Sequence, residues 1–283
     1  MTEEPKIIIF IDGSYFCFHR YYSIVRWWKS AYPENQDVLL NPYENDEFRE
    51  KFIKTFVETV KEIPKKLGIK KEQRNKVRMI VGKDCARQDI WRTALYDKYK
   101  ANRQNGPEDG FMGGQFFKMA YDDGLFIQGG VESVLSLEKL EADDCIALSV
   151  KHLLTKNNNS CRIFVITSDM DYLQLHGERV QIVDLSFKNV AEKKSSFGSA
   201  EANLFCKIVM GDTSDNIPSI FKKCGPKTAL KCWQDKAYFE NRLKKENAQD
   251  KYDFNKTIVS FDCIPPVYIH NFHLKYADVM NSL

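Results

Sequence analysis

The chain has 283 residues, of which 43% are hydrophobic and 29% are charged, and its formal net charge is +3. This is the composition of a globular protein, so it excludes a disordered or collagen-like chain. No apolar run approaches the roughly 18 residues that a membrane helix needs. The acidic N-terminus does not resemble a signal peptide, so we expect an intracellular protein with no membrane contact.

Eight cysteines are spread along the chain without the C-x-x-C spacing of a zinc or redox motif. They sit among apolar neighbours, which favours buried free thiols in a reducing compartment, the cytoplasm or the nucleus. Disulfides or a zinc site are the alternative that the sequence leaves open.

The predicted elements alternate between strands and helices in the first 200 residues. The first clear strand, at 6–11, is a continuous apolar run, which is typical of a parallel strand covered on both faces. Strands are predicted at 6–11, 77–81, 162–167 and 180–184, with helices at 48–67 and 143–154 among others. This alternation predicts crossover connections and a mostly parallel sheet, and therefore an α/β fold.

Three further segments have a different character. Residues 27–45 are polar and aromatic without a clear period, and residues 104–114 are rich in Gly, Asn and Pro. Both are predicted as loops, the second of them mobile. Residues 201–283 contain no strong strand, and two short helices are expected on either side of a turn at 223–228. We therefore predict an α/β domain at 1–200 and a smaller helical region at 201–283.

Acidic residues follow each of the three strongest predicted strands: Asp12, Asp84, and the pair Asp169 and Asp171. Ligands of open parallel sheets bind at the carboxyl ends of the strands, so these side chains are expected at one edge. Taken singly, each is more often a turn residue or a helix cap. Two more acidic groups are candidates for the same site, Glu141, Asp143 and Asp144 at the start of a predicted helix, and Asp212 with Asp215. For the first group, ordinary acidic capping of the helix is the alternative.

Nine converging carboxylates could not all stay ionised unaided, because like charges within a few Å raise each other's pKa. Divalent cations would relieve this repulsion, and all-oxygen ligand sets suit Mg²⁺ or Mn²⁺ rather than zinc. Two such ions roughly 3.5–4 Å apart are the usual arrangement for displacement at a phosphodiester. The sequence therefore predicts a two-ion site for phosphoryl transfer.

Basic residues that could hold a phosphate lie in two segments. Arg92, Lys100 and Arg103 form the first, and Lys100 and Arg103 would share one face if the segment is helical. A solvated surface run is the alternative. In the second segment, residues 225–228 open a helix whose backbone N–H groups would face a phosphate. The candidate phosphate contacts around this turn are Lys222, Lys223, Gly225, Lys227, Thr228 and Lys231.

An aromatic and basic run follows Asp12. Phe16 and Phe18 are expected in the core. Tyr15, Tyr21 or Tyr22 could instead stack on an unpaired base, with a place in the core as the alternative.

The order and spacing of these segments resemble the 5′-nuclease superfamily. Its members include the flap endonucleases, bacteriophage 5′ exonucleases and the N-terminal domain of bacterial DNA polymerase I. The resemblance covers about residues 6–235 and rests on stretches at 12–15, 99–103, 141–144, 167–175, 211–218 and 225–229. Their order is far more specific than any one stretch, and the last three look more bacterial or phage-like than eukaryotic.

The resemblance implies a PIN-like α/β core, a helix–hairpin–helix region that grips duplex DNA, and a flexible arch near 101–124 for the 5′ single strand. It also implies that the nine carboxylates hold two ions, Mg²⁺ or Mn²⁺, directly or through water. Lys100 and Arg103 would be the catalytic, phosphate-steering cations. The remaining candidate contacts with nucleic acid are Tyr15, Arg20, Tyr22, Arg92 and the hairpin residues 222, 223, 225, 227, 228 and 231.

Two departures from the family pattern concern these contacts. The family commonly has arginine where His19 stands, and Arg20 is the adjacent substitute. The family hairpin reads Gly-x-Gly, whereas this chain has Lys223, Cys224 and Gly225. A K⁺ ion held by the hairpin backbone is a further implication of the resemblance, which this second departure leaves open.

The predicted function is that of a structure-specific 5′-nuclease, a 5′-3′ exonuclease or flap endonuclease in replication, repair or recombination. The expected partner is DNA with a 5′ single-stranded flap or end, including an RNA–DNA primer, and the protein is expected to be a monomer. A non-catalytic binder of DNA structures with the same fold is one alternative. A PIN-type ribonuclease is the other.

Overall fold

A five-stranded parallel sheet organises the part of the chain that the computed structural model describes, residues 6–103, 110–156 and 161–283. The strand order is β3-β2-β1-β4-β5, and every neighbouring pair is parallel. The strands are β1 (Lys6–Asp12), β2 (Val77–Gly82), β3 (Ser133–Leu135), β4 (Cys161–Ile166) and β5 (Val180–Val183). The predicted α/β class and parallel sheet are thereby confirmed.

The central strand β1 shows why the strong strands were predictable. Ile8 and Phe10 point into one hydrophobic layer, and Ile9 and Ile11 point into the layer on the opposite face of the sheet. All four side chains are fully buried, because side chains of a strand alternate between two faces that are both covered here. The three-residue strand β3 gave no such signal and was missed.

Helices cover both faces of this sheet. In α2, Phe48, Phe52, Phe56 and Val60 recur every four residues and are all buried, which gives the helix one apolar face. Asn45 caps this helix by accepting the N–H of Phe48 at 2.8 Å. The helices of the described residues are α1 (Gly13–Ala31), α2 (Asp46–Lys66), α3 (Trp91–Leu95), α4 (Gly114–Asp122), α5 (Leu125–Gln128), α6 (Ala142–Thr155), α7 (Ala200–Met210), α8 (Pro226–Gln234), α9 (Lys236–Glu246), α10 (Gln249–Val259), α11 (Pro266–Lys275) and α12 (Ala277–Ser282).

The loop predicted at 27–45 is only partly a loop. Helix α1 continues to Ala31, because Trp28 on its last turns packs into the core and is 1% exposed. Short 3₁₀ turns follow at Gln36–Leu40 and Pro42–Glu44. Of the second predicted loop, residues 104–109 lie outside the described residues, and α4 begins where that prediction ends.

The C-terminal residues divide between two places. Helices α7 to α9 enclose a small core that includes Cys206 and Phe221. Helices α11 and α12 instead return to the sheet, where Phe272 and Met280 join the layer that contains Ile8. Residues 261–283 therefore complete the core of the α/β domain, although the sequence placed them with the helical region.

All eight cysteines are free thiols; five are buried as expected, whereas Cys85, Cys224 and Cys263 are partly exposed. Within the described ranges, no helix combines the length and the apolar character that crossing a bilayer requires.

Candidate active site

Carboxylates converge in a cleft of about 900 Å³ at the carboxyl edge of the sheet. Parallel strands that end at one edge bring residues from distant parts of the chain together there. Seven of the nine predicted metal ligands line this cleft, together with Lys100 and Arg103; the seven are Asp12, Asp84, Glu141, Asp143, Asp169, Asp171 and Asp212. The remaining two, Asp144 and Asp215, lie beside it and point into ion pairs.

Asp12 is the last residue of β1 and also caps helix α1. Its carboxylate accepts the N–H of Tyr15 at 3.0 Å and the hydroxyl of Thr167 at 3.2 Å. Burial and then the nearby charge of Asp84 raise the pKa of Asp12 from 3.8 to about 7, although these hydrogen bonds oppose the rise. The carboxylate is thus held where its negative charge is unstable without a cation.

The residue after Asp12 must be glycine for this packing. A Cβ on Gly13 would lie 2.1 Å from the hydroxyl oxygen of Tyr121 and 2.6 Å from the carbonyl oxygen of Gly82. The second of these is backbone and cannot turn aside, so a side chain here would force β1 and β2 apart.

Asp84 joins three parts of the cleft. It follows β2, accepts the hydroxyl of Ser14 at the start of α1, and accepts the N–H of Ala142 at the start of α6 at 2.8 Å. Burial raises the pKa of neighbouring Asp143 well above its ordinary value, and the charges of Glu141 and Asp144 add to the effect. These carboxylates are compatible with ions bound through oxygen, and a histidine or cysteine is absent from the metal-type clusters of the described residues.

The acidic start of α6 has a dual role. Glu141 and Asp144 form a capping box, so the capping alternative is correct for these two residues. Asp144 is fully buried, and its oxygens accept Arg92 at 2.7 and 2.8 Å and the indole N–H of Trp91 at 2.9 Å. Asp144 therefore faces a buried arginine and not the cleft.

Arg92 was predicted to contact nucleic acid, and this prediction is wrong. The residue is 2% exposed, and its guanidinium donates to Glu141, Asp144 and the carbonyl oxygen of Ile258 in α10. A buried guanidinium needs counter-charges, and this one is paired with two carboxylates. Arg92 instead fixes the acidic start of α6 against the helical region.

Lys100 and Arg103 reach the cleft from turns and not from the helix that the sequence suggested. Lys100 has a φ of 54° and donates its backbone N–H to the carbonyl oxygen of Asp215 at 3.0 Å. Asn102 anchors the same segment to the carbonyl oxygen of Thr213 at 2.7 Å. Helix α3 ends at Leu95, so the two cations are positioned by the loop that carries Asp215.

The two cations pair with carboxylates of the site. Lys100 forms an ion pair with Glu141, and Arg103 forms one with Asp215. Burial alone would raise the pKa of Glu141, but the charges of Lys100 and Arg92 outweigh it, so the pKa lies below its ordinary value. Burial likewise opposes the charge of Lys100, and the charge of Glu141 more than compensates, raising the pKa of the lysine. Both residues of this pair are therefore ionised.

A second acidic cluster contains a cation that the sequence analysis missed. Oxygens of Asp171, Asp212 and Asp215 lie within 4.8 Å of one another. Lys207, in the last turn of α7, forms ion pairs with Asp171 and, at 2.6 Å, with Asp212. Burial opposes ionisation of Asp212, but Lys207 lowers the pKa of this carboxyl to about 2. The available signal was a lysine five residues before Asp212, close in sequence to an acidic segment.

The hairpin residues lie outside the cleft. Gly225 precedes α8 and Pro226 opens it, as predicted, and no side chain caps the N–H groups of its first turn. Lys223 has a φ of 51°, a left-handed conformation that favours glycine, at the position where the family has its first glycine. Lys222, Lys223, Gly225, Lys227 and Lys231 are exposed or partly exposed, and Thr228 is half-buried.

The aromatic run after Asp12 divides between cleft, surface and core. Tyr15 lines the cleft, and its hydroxyl oxygen accepts the N–H of Leu185 at 3.1 Å. Tyr22 is 46% exposed, whereas Tyr21 is 4% exposed and belongs to the core, which excludes it as a stacking platform. Phe18 was expected in the core but lines the cleft. Arg20, also on α1, is half-buried and does not line the cleft.

An acidic cleft at the carboxyl edge of a parallel sheet, with paired cations inside it, defines the site of a metal-dependent phosphodiesterase. A sequence-family model described as the 5′-3′ exonuclease, N-terminal resolvase-like domain, matches residues 7–203 of this chain. The chain therefore belongs to the 5′-3′ exonuclease family. The resemblance to the 5′-nucleases, the expected fold class and the expected metal-dependent nuclease activity are confirmed.

Individual relatives are distant in sequence. A 5′-3′ exonuclease of Buchnera aphidicola is 25% identical over 80% of this chain and 69% of its own length. A ribonuclease H of bacteriophage T4 is 27% identical over 64% of each chain. A DNA polymerase I of Streptococcus pneumoniae is 28% identical over 68% of this chain, which spans 23% of that protein.

Solved structures of the same fold come from bacteriophage T5. A T5 flap endonuclease in a complex with DNA and metal ions superimposes with a TM-score of 0.65 at 15% identity, covering 97% of this chain and 99% of that one. A T5 5′-exonuclease gives 0.62 at 14% identity, with the same coverage. At this identity the likeness establishes the fold.

Proposed function

We propose that this protein hydrolyses phosphodiester bonds of DNA at 5′ single-stranded ends or flaps, using two divalent ions, Mg²⁺ or Mn²⁺. The observation that carries the proposal is the convergence of seven predicted ligands with Lys100 and Arg103 in one cleft. The products would be a 5′-phosphate and a 3′-hydroxyl.

The cleft residues fit two hard cations. The raised pKa of Asp12, caused by burial and by Asp84, indicates a site whose negative charge calls for a cation. Asp12, Asp84 and Asp143 would hold one ion, and Asp171, Asp212 and Asp215 the other, directly or through water. Glu141 and Asp169, which line the same cleft, would be further ligands of these ions. The ions would supply activation of water and neutralisation of charge on the phosphoryl oxygens.

Lys100 and Arg103 would bind and orient the scissile phosphate. Each is now paired with a carboxylate of the site, so each is fixed within reach of a phosphate that entered the cleft. A cation held in advance beside the reacting phosphoryl group stabilises the charge that develops in the transition state. The turn geometry described above therefore suits the role that the resemblance assigns to these residues.

The hairpin would hold the duplex part of the substrate. Lys222, Lys223 and Lys227 lie near the uncapped N-terminus of α8, where backbone N–H groups and positive charge favour a phosphate. Lys231 lies in the last turn of the same helix and would be a further phosphate contact. Contacts of this kind position DNA without reading its sequence. Tyr15, in the cleft, and Tyr22, on the surface, are the proposed platforms for an unpaired base. Arg20, on the same helix, is the proposed phosphate contact.

Several features stay predictions. The arch at 101–124 falls partly on residues 104–109, outside the described residues. The K⁺ ion at the hairpin, the monomeric state, and a reducing intracellular compartment rest on the sequence, and the eight free thiols agree with the last of these.

Mapping of cleavage products on a 5′-flap DNA labelled at its 5′ end tests the proposal. We expect cleavage near the junction in Mg²⁺ and none in EDTA. An Asp169→Asn variant should be inactive, and Asp37→Asn, at an exposed aspartate outside the cleft, should be fully active. An RNA–DNA duplex belongs in the same series, because a ribonuclease H is among the relatives. Equal cleavage in EDTA, or binding without any cleavage, would contradict the proposed function.

A further inference from the structure

The two halves of the acidic cleft differ in how their charge is balanced. In the half formed by Asp12, Asp84 and Asp143, the described residues contribute no ion pair to any of these carboxylates. In the half formed by Asp171, Asp212 and Asp215, every carboxylate is ion-paired, to Lys207 or to Arg103.

The Lys207 ammonium pairs with two carboxylates of the second half, as a bound metal cation would. It contacts Asp171, from the segment after β4, and Asp212, from the loop after α7. The three side chains are only 13 to 19% exposed, so this arrangement is more than a surface ion pair. Lys207 also lines the cleft itself, which leaves its flexible stem a path away from the two carboxylates.

We infer that the Lys207 ammonium occupies the second ion position in the metal-free protein and must leave Asp171 and Asp212 before the second divalent ion can bind. The inference rests on the proposed two-ion function. One monovalent charge would be exchanged for one divalent ion on the same oxygens. The first ion would meet no such competitor beside Asp12, Asp84 and Asp143. The two ions should therefore bind in order and with unequal affinity.

The exchange also gives Lys207 a second role. A displaced ammonium remains at the end of a four-carbon stem anchored on α7, next to the cleft that would hold the substrate phosphate. A phosphate oxygen is the partner that would replace the two carboxylates. Binding of the second ion and of the substrate should therefore support each other, with Lys207 as the link between them.

Binding of Mn²⁺ without substrate tests this inference without reference to activity. Free Mn²⁺ is measured by electron paramagnetic resonance during titration of the wild type, of Lys207→Met, and of Lys61→Met as a control at an exposed lysine outside the cleft. We expect one tight and one weak site in the wild type. In Lys207→Met the weak site should tighten by about 10-fold or more, because a competing unit charge is gone. The tight site, and both sites of Lys61→Met, should change by less than about 3-fold.

If Lys207→Met does not fold, an NMR measurement on the wild-type protein tests the same inference. Reductive methylation with ¹³C labels the lysines, and the Lys207 signal is assigned by its absence in Lys207→Arg. With Mg²⁺ this signal should stay in place during the first equivalent and move during the second.

Each result decides a different point. A second site of unchanged or weaker affinity in Lys207→Met, or a Lys207 signal that moves with the first ion, would overturn the inference and leave the proposed function intact. Absence of any Mn²⁺ binding to the wild type would overturn the two-ion function itself.

Discussion

Replacing Asp12 by asparagine should stabilise the metal-free protein at neutral and alkaline pH. In the folded protein, burial and the charge of Asp84 raise the pKa of Asp12 from 3.8 to about 7. A carboxyl whose pKa is raised by folding stabilises the fold while it is protonated. That contribution is complete below about pH 4 and is lost as the pH rises through 7. Asparagine is neutral throughout and has no such loss.

The size of the effect follows from the same pKa. A rise from 3.8 to about 7 corresponds to about 4 kcal/mol, at about 1.4 kcal/mol for each pH unit. Most of this loss of stability, about 3 kcal/mol, occurs between pH 5 and pH 8. The hydrogen bond from the Tyr15 N–H can be kept, because the amide oxygen of the introduced asparagine would accept it as the carboxylate does.

Urea unfolding followed by circular dichroism, in EDTA at pH 5 and pH 8, measures this difference. Between these pH values the wild type should lose about 3 kcal/mol of unfolding free energy relative to Asp12→Asn. Adding Mg²⁺ at pH 8 should stabilise the wild type strongly and the variant little, since ligand binding to the folded state raises its stability. Parallel pH dependences for the two proteins would refute the argument that Asp12 is destabilised by its own charge.

Three further changes probe the other parts of the site. Asp169→Asn should abolish cleavage and preserve DNA binding, as measured by single-turnover assay and by binding in Ca²⁺; retained turnover would remove Asp169 from the ligands. Lys100→Ala should lower single-turnover cleavage by about 10²-fold with a much smaller change in affinity, and the opposite pattern would make Lys100 a docking residue. Neutralising Lys222, Lys223 and Lys227 should flatten the slope of log K against log[salt] by about 0.9 for each phosphate that is no longer neutralised. An unchanged slope would make these lysines a solvated surface.

The part of the site that lies next to strands could be predicted from the sequence. The largely apolar strands β1, β2 and β4 are typical of a sheet covered on both faces, and each ends in or is closely followed by aspartate. Parallel topology then fixes the place of Asp12, Asp84 and Asp169 at one edge, whatever the connections between the strands. A rule about strand ends was sufficient for these three residues.

The pairing of charges could not be predicted in the same way, because it depends on contacts between distant segments. Arg92 and Lys100 are both cations in the same stretch of sequence, yet Arg92 is buried against Asp144 and Ile258 while Lys100 reaches the cleft. Tyr21 and Tyr22 are adjacent on α1. Because adjacent side chains of a helix point in different directions, Tyr21 lies in the core and Tyr22 on the surface. Nothing local distinguishes the members of either pair.

The buried ion pair of Arg92 and Asp144 is a contact between distant segments that also determines the position of a residue in the cleft. Without Arg92, Asp144 would be a buried carboxylate with no counter-charge, and Glu141 would lose one of the two cations that lower its pKa. Because the guanidinium also binds the carbonyl oxygen of Ile258, the position of Glu141 in the cleft depends on the C-terminal end of α10. The helical region therefore does more than present a hairpin, since through one buried arginine it also holds the start of α6 in the place that the acidic cleft requires.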